Sequence, residues 1–129
     1  MIYVVDEPGG EVVGWSEADG ELSEVVWGKL SEPAKELFTV LMNEPGVRFS
    51  GDELSSRLGL PNGKHGVAGV LGWPMRHCRS VGRAWPWAWE YPEGKSAQYW
   101  MTEEVADLFR HARDAQGQLD VIKNNPWSE

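Results

Sequence analysis

Basic residues are scarce in this chain. Twelve Lys and Arg face twenty Asp and Glu over 129 residues, a formal charge of −8. That balance excludes a generic nucleic-acid binder, which would be basic as a whole. Cysteine is limited to Cys78, so no internal disulfide can form. No apolar run approaches the ~18 residues of a membrane-spanning helix. The N-terminal MIYVVDEPGG carries neither a basic leader nor a cleavage pattern, and a cytoplasmic protein is expected. Catalytic patterns are missing as well: HExxH, paired cysteines, a Gly-rich phosphate loop after a strand, and a nucleophile elbow. His77 and Cys78 are adjacent, so on a helix they point about 100° apart and are poorly placed to chelate one metal. The expectation is a non-enzymatic protein with no catalytic residues, no metal and no cofactor.

What remains is an ordinary soluble composition, with 41% hydrophobic residues and eight tryptophans. The length suggests one domain with a modest core. The charge is unevenly spread. Residues 59–101 hold five cations against two carboxylates, a net of +3 that leaves −11 on the rest. One basic surface on an acidic body fits this split. It disfavours non-specific DNA binding and leaves room for weak, specific or partner-assisted binding.

The chain is organised around residues 62–83, NGKHGVAGVLGWPMRHCRSVGR. At helical spacing Val67, Val70, Leu71, Pro74, Cys78 and Val81 share one face. His65, Gly69, Gly72, Arg76, Arg79 and Arg83 share the opposite one. Glycine costs a helix roughly 1 kcal/mol relative to alanine. Three of them at a spacing of three, Gly66, Gly69 and Gly72, imply close approach by something. That something is either a second helix or a nucleic-acid backbone.

Ahead of this stretch, Ile2–Val5 and Glu11–Trp15 read as strands of a hairpin turned at Pro8-Gly9-Gly10. Residues 21–30 fit either a third strand or a helical turn, with Val25, Val26 and Trp27 buried in both cases. Ser31 caps a helix over 33–43 whose stripe is Ala34, Leu37, Phe38 and Leu41. Val47–Phe49 is an extended link. Ser50 and Glu53 form a capping box for a helix over 51–58, stopped by Gly59. Asn62 is placed to cap the central helix, over 63–80, and Pro74 to bend it. The period then changes to two. Trp85, Trp87, Trp89 and Tyr91 alternate along a strand over 85–91, which returns over 97–101. Thr102 caps a last helix over 103–114, with Val105, Leu108, Phe109 and Ala112 inward, and 115–129 is a polar tail.

This order, with VAGVLGWPMRHCRS followed by an aromatic hairpin and YWMTEEVADL, resembles the winged helix–turn–helix superfamily, in particular small bacterial domains of unassigned function. The resemblance covers residues 31–114 and implies an α+β fold, a three-helix core with a two-stranded wing. Residues 1–30 would be an N-terminal β-hairpin extension. It also implies a duplex DNA partner, met by the helix over 63–80 and by the wing tip. The residues so implicated are Lys64, His65, Gly69, Gly72, Arg76, Arg79, Arg83 and Lys95. Lys64 and His65 lie early, where bases are commonly read. Arg76, Arg79 and Arg83 would meet phosphates, and Lys95 is the wing contact.

Two readings of the tryptophans stand side by side. They form a stacking platform for an unstacked base, or they cover the core from a half-buried strand. Trp73, at the edge of the basic face, is expected to be exposed. The alternative function is a winged-helix protein-interaction module with an acidic body. A homodimer is compatible with either function, and no membrane association is expected.

Overall fold

The computed structural model describes residues 13–94 and 97–124; of 119–124 it describes only the backbone course. Among these residues the fold is α+β, with five helices and one small antiparallel sheet. The order is α1 (Gly20–Lys29), α2 (Glu32–Asn43), β1 (Phe49–Ser50), α3 (Gly51–Leu58), α4 (Gly63–Ser80), β2 (Ala88–Glu90), β3 (Gln98–Trp100) and α5 (Glu103–Asn124). A 3-10 turn at Glu17–Asp19 leads into α1.

The helix starts follow from local chemistry. The Ser31 hydroxyl accepts from the Ala34 N–H, with Pro33 in the first turn, where its missing donor is no loss. Ser50 and Glu53 close the capping box on α3 in both directions. Gly59 stops α3 at φ +64. Asn62 is a correction: its side chain makes no capping bond, and the residue instead takes a left-handed backbone (φ 68) that swings the chain into α4. The helix α4 continues through Pro74, which is buried.

A single core gathers all five helices and the sheet. Phe38 sits at its centre. Its ring meets Trp87 and Phe109 edge-on at 6.1 and 5.5 Å and tilts against Trp27 at 6.4 Å. Leu37, Leu41, Leu54, Val67, Leu71, Leu108 and Phe109 are buried, and Leu58 and Val70 pack against the cluster from its edge. The apolar face of α4 is therefore inward, as its spacing indicates.

The sheet has the order β1-β3-β2, with Phe49 opposite Tyr99 and Trp89 opposite the same residue on the other side. The extended link at residues 47–49 thus supplies a third strand. The two hairpin strands are shorter than 85–91 and 97–101, because Pro86 has no N–H to give a ladder. Arg48 ties the sheet together, pairing with Glu90 and lying 4.2 Å over the Trp100 ring.

Residues 20–29 are helical, which settles the open choice there. A helix turns Val25 out to solvent, while Val26 and Trp27 enter the core. Only the end of the expected N-terminal hairpin, residues 13–15, lies within the described residues. There Val13 bridges to Arg83 in parallel, and the Trp15 indole donates to the Ala84 carbonyl at 2.6 Å. No boundary falls at residue 30, since α1 packs along α5 in the same core as the rest. Residues 115–124, expected as tail, continue α5.

Candidate functional site

The face of α4 opposite the core carries the residues singled out from spacing. Lys64, His65, Gly69, Arg76 and Arg79 are exposed, and Gly72 is half-buried. The three glycines have different reasons. A Cβ on Gly66 would lie 2.3 Å from the Pro61 carbonyl oxygen, so this glycine lets α4 pass the turn before it. Around Gly69 and Gly72 nothing approaches within 4 Å of such a Cβ. Their backbone is bare on the outer face, and no internal contact accounts for it. A second close approach escaped the sequence: Gly51, where a Cβ would come within 2.7 Å of the Lys64 Cβ, packs α3 on α4 and sets where Lys64 stands.

Along the later turns of this face Trp73 is 63% exposed. The Arg76 guanidinium lies 4.8 Å over its ring, and His77 stacks beside it at 5.9 Å. Arg76 is thus held flat against an indole, an arrangement that fixes its direction.

Arg83 does not belong to this face. It follows the end of α4 and turns inward, its guanidinium gripping Asp19 with two bonds of 2.9 Å. Asp19 is almost fully buried and also accepts from the Ser16 N–H. The Arg83 hydrogen bonds hold its carboxyl below the ordinary range against the opposing effect of burial. Helical spacing counted Arg83 with the outer face because it extended α4 past Ser80, where Gly82 (φ +74) breaks the period. Lys95 lies outside the described residues.

A groove runs between α4 and the β2–β3 hairpin. Its wider part is a cleft of about 530 Å³ bordered by Gly51, Lys64, His65, Tyr91 and Gly94. Its narrower part, about 190 Å³, lies between Leu71 and Met75 on one side and Trp85, Trp89 and Tyr91 on the other. Of the hairpin aromatics Trp87 is core, Trp85 and Trp89 are half-buried, and Tyr91 is 70% exposed. Trp85 and Trp87 stack at 5.8 Å, and Trp89 meets Tyr91 edge-on at 5.4 Å. Burial, with Tyr91 nearby, raises the Tyr99 phenol, which stays neutral in the groove wall.

Residues 20–116 match the model of a family of unknown function, DUF6416. The chain belongs to this family. No curated protein and no solved structure matches it. The family segment starts with α1 and ends within α5, so it includes α4, the groove and the whole hairpin.

Other chemistry finds little footing. Among the described residues no group of His, Cys, Asp and Glu side chains is placed to hold a metal ion. Cys78 is buried, and burial pushes its thiol up to about 12, which leaves it unreactive as a nucleophile. His111 is exposed on α5. No helix among the described residues is long and apolar enough to cross a membrane.

Proposed function

We propose that this DUF6416 protein is a non-enzymatic, cytoplasmic module that binds duplex DNA as a winged helix–turn–helix. In this reading α3 and α4 are the helix–turn–helix and β2–β3 is the wing. The order α2–β1–α3–α4–β2–β3, with β1 seated on β3, supports it. The observation that carries the DNA reading is the outer face of α4. Two glycines inside an 18-residue helix face open space, flanked by Lys64, His65 and Arg76. Bare backbone beside cations suits close approach of a phosphate backbone or a groove edge. Lys64 and His65, in the first turn, are the base-reading candidates, and Arg76 and Arg79 the phosphate contacts.

The test is a titration of labelled random duplexes at several salt concentrations. Replacing Arg76 and Arg79 together by Ala should lower the salt slope by about two units if both meet phosphates. Both side chains are exposed, so the fold should remain. A wild-type protein without DNA affinity at low salt, where charge attraction is strongest, would sink the proposal.

One observation favours a second reading, a protein-interaction module. Trp73 and Arg76 stack on the surface, and these two residue types dominate interface hot spots. Trp73→Ala separates the two: in the DNA reading duplex affinity changes little, because Arg76 keeps its charge.

A further inference from the structure

We infer that the groove between α4 and the hairpin is a receptor for one unstacked nucleobase together with its adjoining phosphate. This rests on the nucleic-acid reading above and narrows it from duplex DNA in general to a strand with a base out of its stack. The narrow part is walled by flat rings on the hairpin side and by Leu71 and Met75 on α4. Its volume of about 190 Å³ exceeds the ~150 Å³ that takes a benzene-sized ring, so a pyrimidine ring fits. The wider cleft adjoins it, since Ala68, Tyr91 and Tyr99 border both.

Shape and charge in the two parts differ in the way such a ligand requires. The slot is apolar and aromatic and favours a π-face, whichever base it belongs to. The cleft is edged by Lys64 and His65, and no carboxylate lines either part among the described residues. Of the acids close by, Glu90 is occupied by Arg48, Glu93 is exposed beside Gly94, and the Asp52 carboxylate lies by Gly63. Ala68 and Ala97 border the cleft with no more than a methyl group each, and Gly51 lets α3 pack on Lys64 at its edge. A planar ring joined to an anion is the ligand that uses both parts, and Lys64 on α4 would hold a phosphate continuous with the strand lying over Gly69 and Gly72.

The experiment compares three labelled DNAs by anisotropy at one salt concentration. They are a fully paired duplex, the same duplex with a single extra thymidine bulged out, and that duplex with an abasic site in the bulge. The thymidine bulge should bind about tenfold tighter than either of the others, in line with the stacking of one base. Ala68→Phe fills the groove from an exposed position on α4 and should abolish the preference for the thymidine bulge over the paired and abasic DNAs. Tyr91→Ala, which removes an exposed wall, should give a smaller loss in the same direction. Equal binding of the thymidine and abasic bulges overturns the inference and leaves the duplex reading standing. Paired binding lost with the bulge still bound overturns the duplex reading and leaves this one. Displacement of the bulge by thymidine monophosphate at comparable concentration would assign the slot to a free nucleotide and overturn the strand assignment. Binding of none of the three DNAs overturns both.

Discussion

The pair that most constrains the N-terminal segment is Asp19 with Arg83. It joins the start of α1 to the turn after α4, next to the Val13 bridge and the Trp15 hydrogen bond. A buried carboxylate left without its partner is costly, so Arg83→Ala should lose about 3 kcal/mol. That is the lower end for a buried pair, because the Arg83 side chain is 24% exposed. The pH dependence follows from the direction of the Asp19 shift. Its folded carboxyl is depressed, so the stabilisation is complete above the ordinary carboxylate range, about 4. It drains away as the pH falls below that range toward the folded value. Urea midpoints taken from pH 7 downward should show wild type and Asp19→Asn converging in acid. Curves that coincide at every pH would mean that the pair contributes nothing to folding, and curves with a constant offset that its contribution does not depend on the Asp19 charge. Cys78 gives a second residue-level expectation. With its thiol near 12 and its side chain buried, it should resist a thiol reagent at pH 8 until urea unfolds the chain. Rapid labelling of the native protein would place Cys78 outside the core.

Within α4, the glycines divide by what surrounds them. Gly69→Ala and Gly72→Ala add a methyl into open space and gain helix propensity, so each should raise stability by about 1 kcal/mol. Gly66→Ala puts its methyl against a backbone carbonyl that cannot swing aside, and should cost about 1–3 kcal/mol. Thermal unfolding of the three variants checks the order. A Gly69→Ala protein less stable than wild type would point to an internal contact at that face. The division also shows what was legible in the sequence. The period of 3.6 gave the two faces of α4, and Ser31 and Ser50 gave helix starts, because capping is a matter of three or four neighbouring residues. Spacing could not separate Gly66 from Gly69, since the Pro61 carbonyl reaches the helix only once the turn is folded. Nor could it show the groove, which Ala68 and Tyr91 border from two elements brought together by the core. The alternation of tryptophans was a real signal for a half-buried hairpin, but it left core and surface rings undivided. The strand ends were overextended because ladders of two or three residues leave almost no pattern, and Pro86 interrupts the one that exists.

On the scale of the molecule, the first and last of the described helices, α1 and α5, pack on each other. The helix-turn-helix and hairpin order of residues 31–114 suggests a unit complete in itself, to which residues 1–30 are an addition. The packing argues otherwise. Val26, Trp27 and Leu30 are buried in the same cluster as Phe38 and Phe109, and α1 lies along α5. Burying a large apolar side chain is worth about 1.5–3 kcal/mol, and a domain of this size has a net stability of about 5–15 kcal/mol. Removing three such residues, together with the Asp19 partner of Arg83, takes most of that margin. The remaining chain would also expose the apolar stripe of α5 that α1 covers. A protein beginning at residue 31 should therefore show no cooperative thermal transition by circular dichroism, whereas one beginning at residue 13 keeps every one of these contacts and should retain one. A cooperative transition in the shorter protein within a few degrees of the full chain would mean that α1 is an appendage. The core would then have to be held by α2, α3, α4, α5 and the sheet alone.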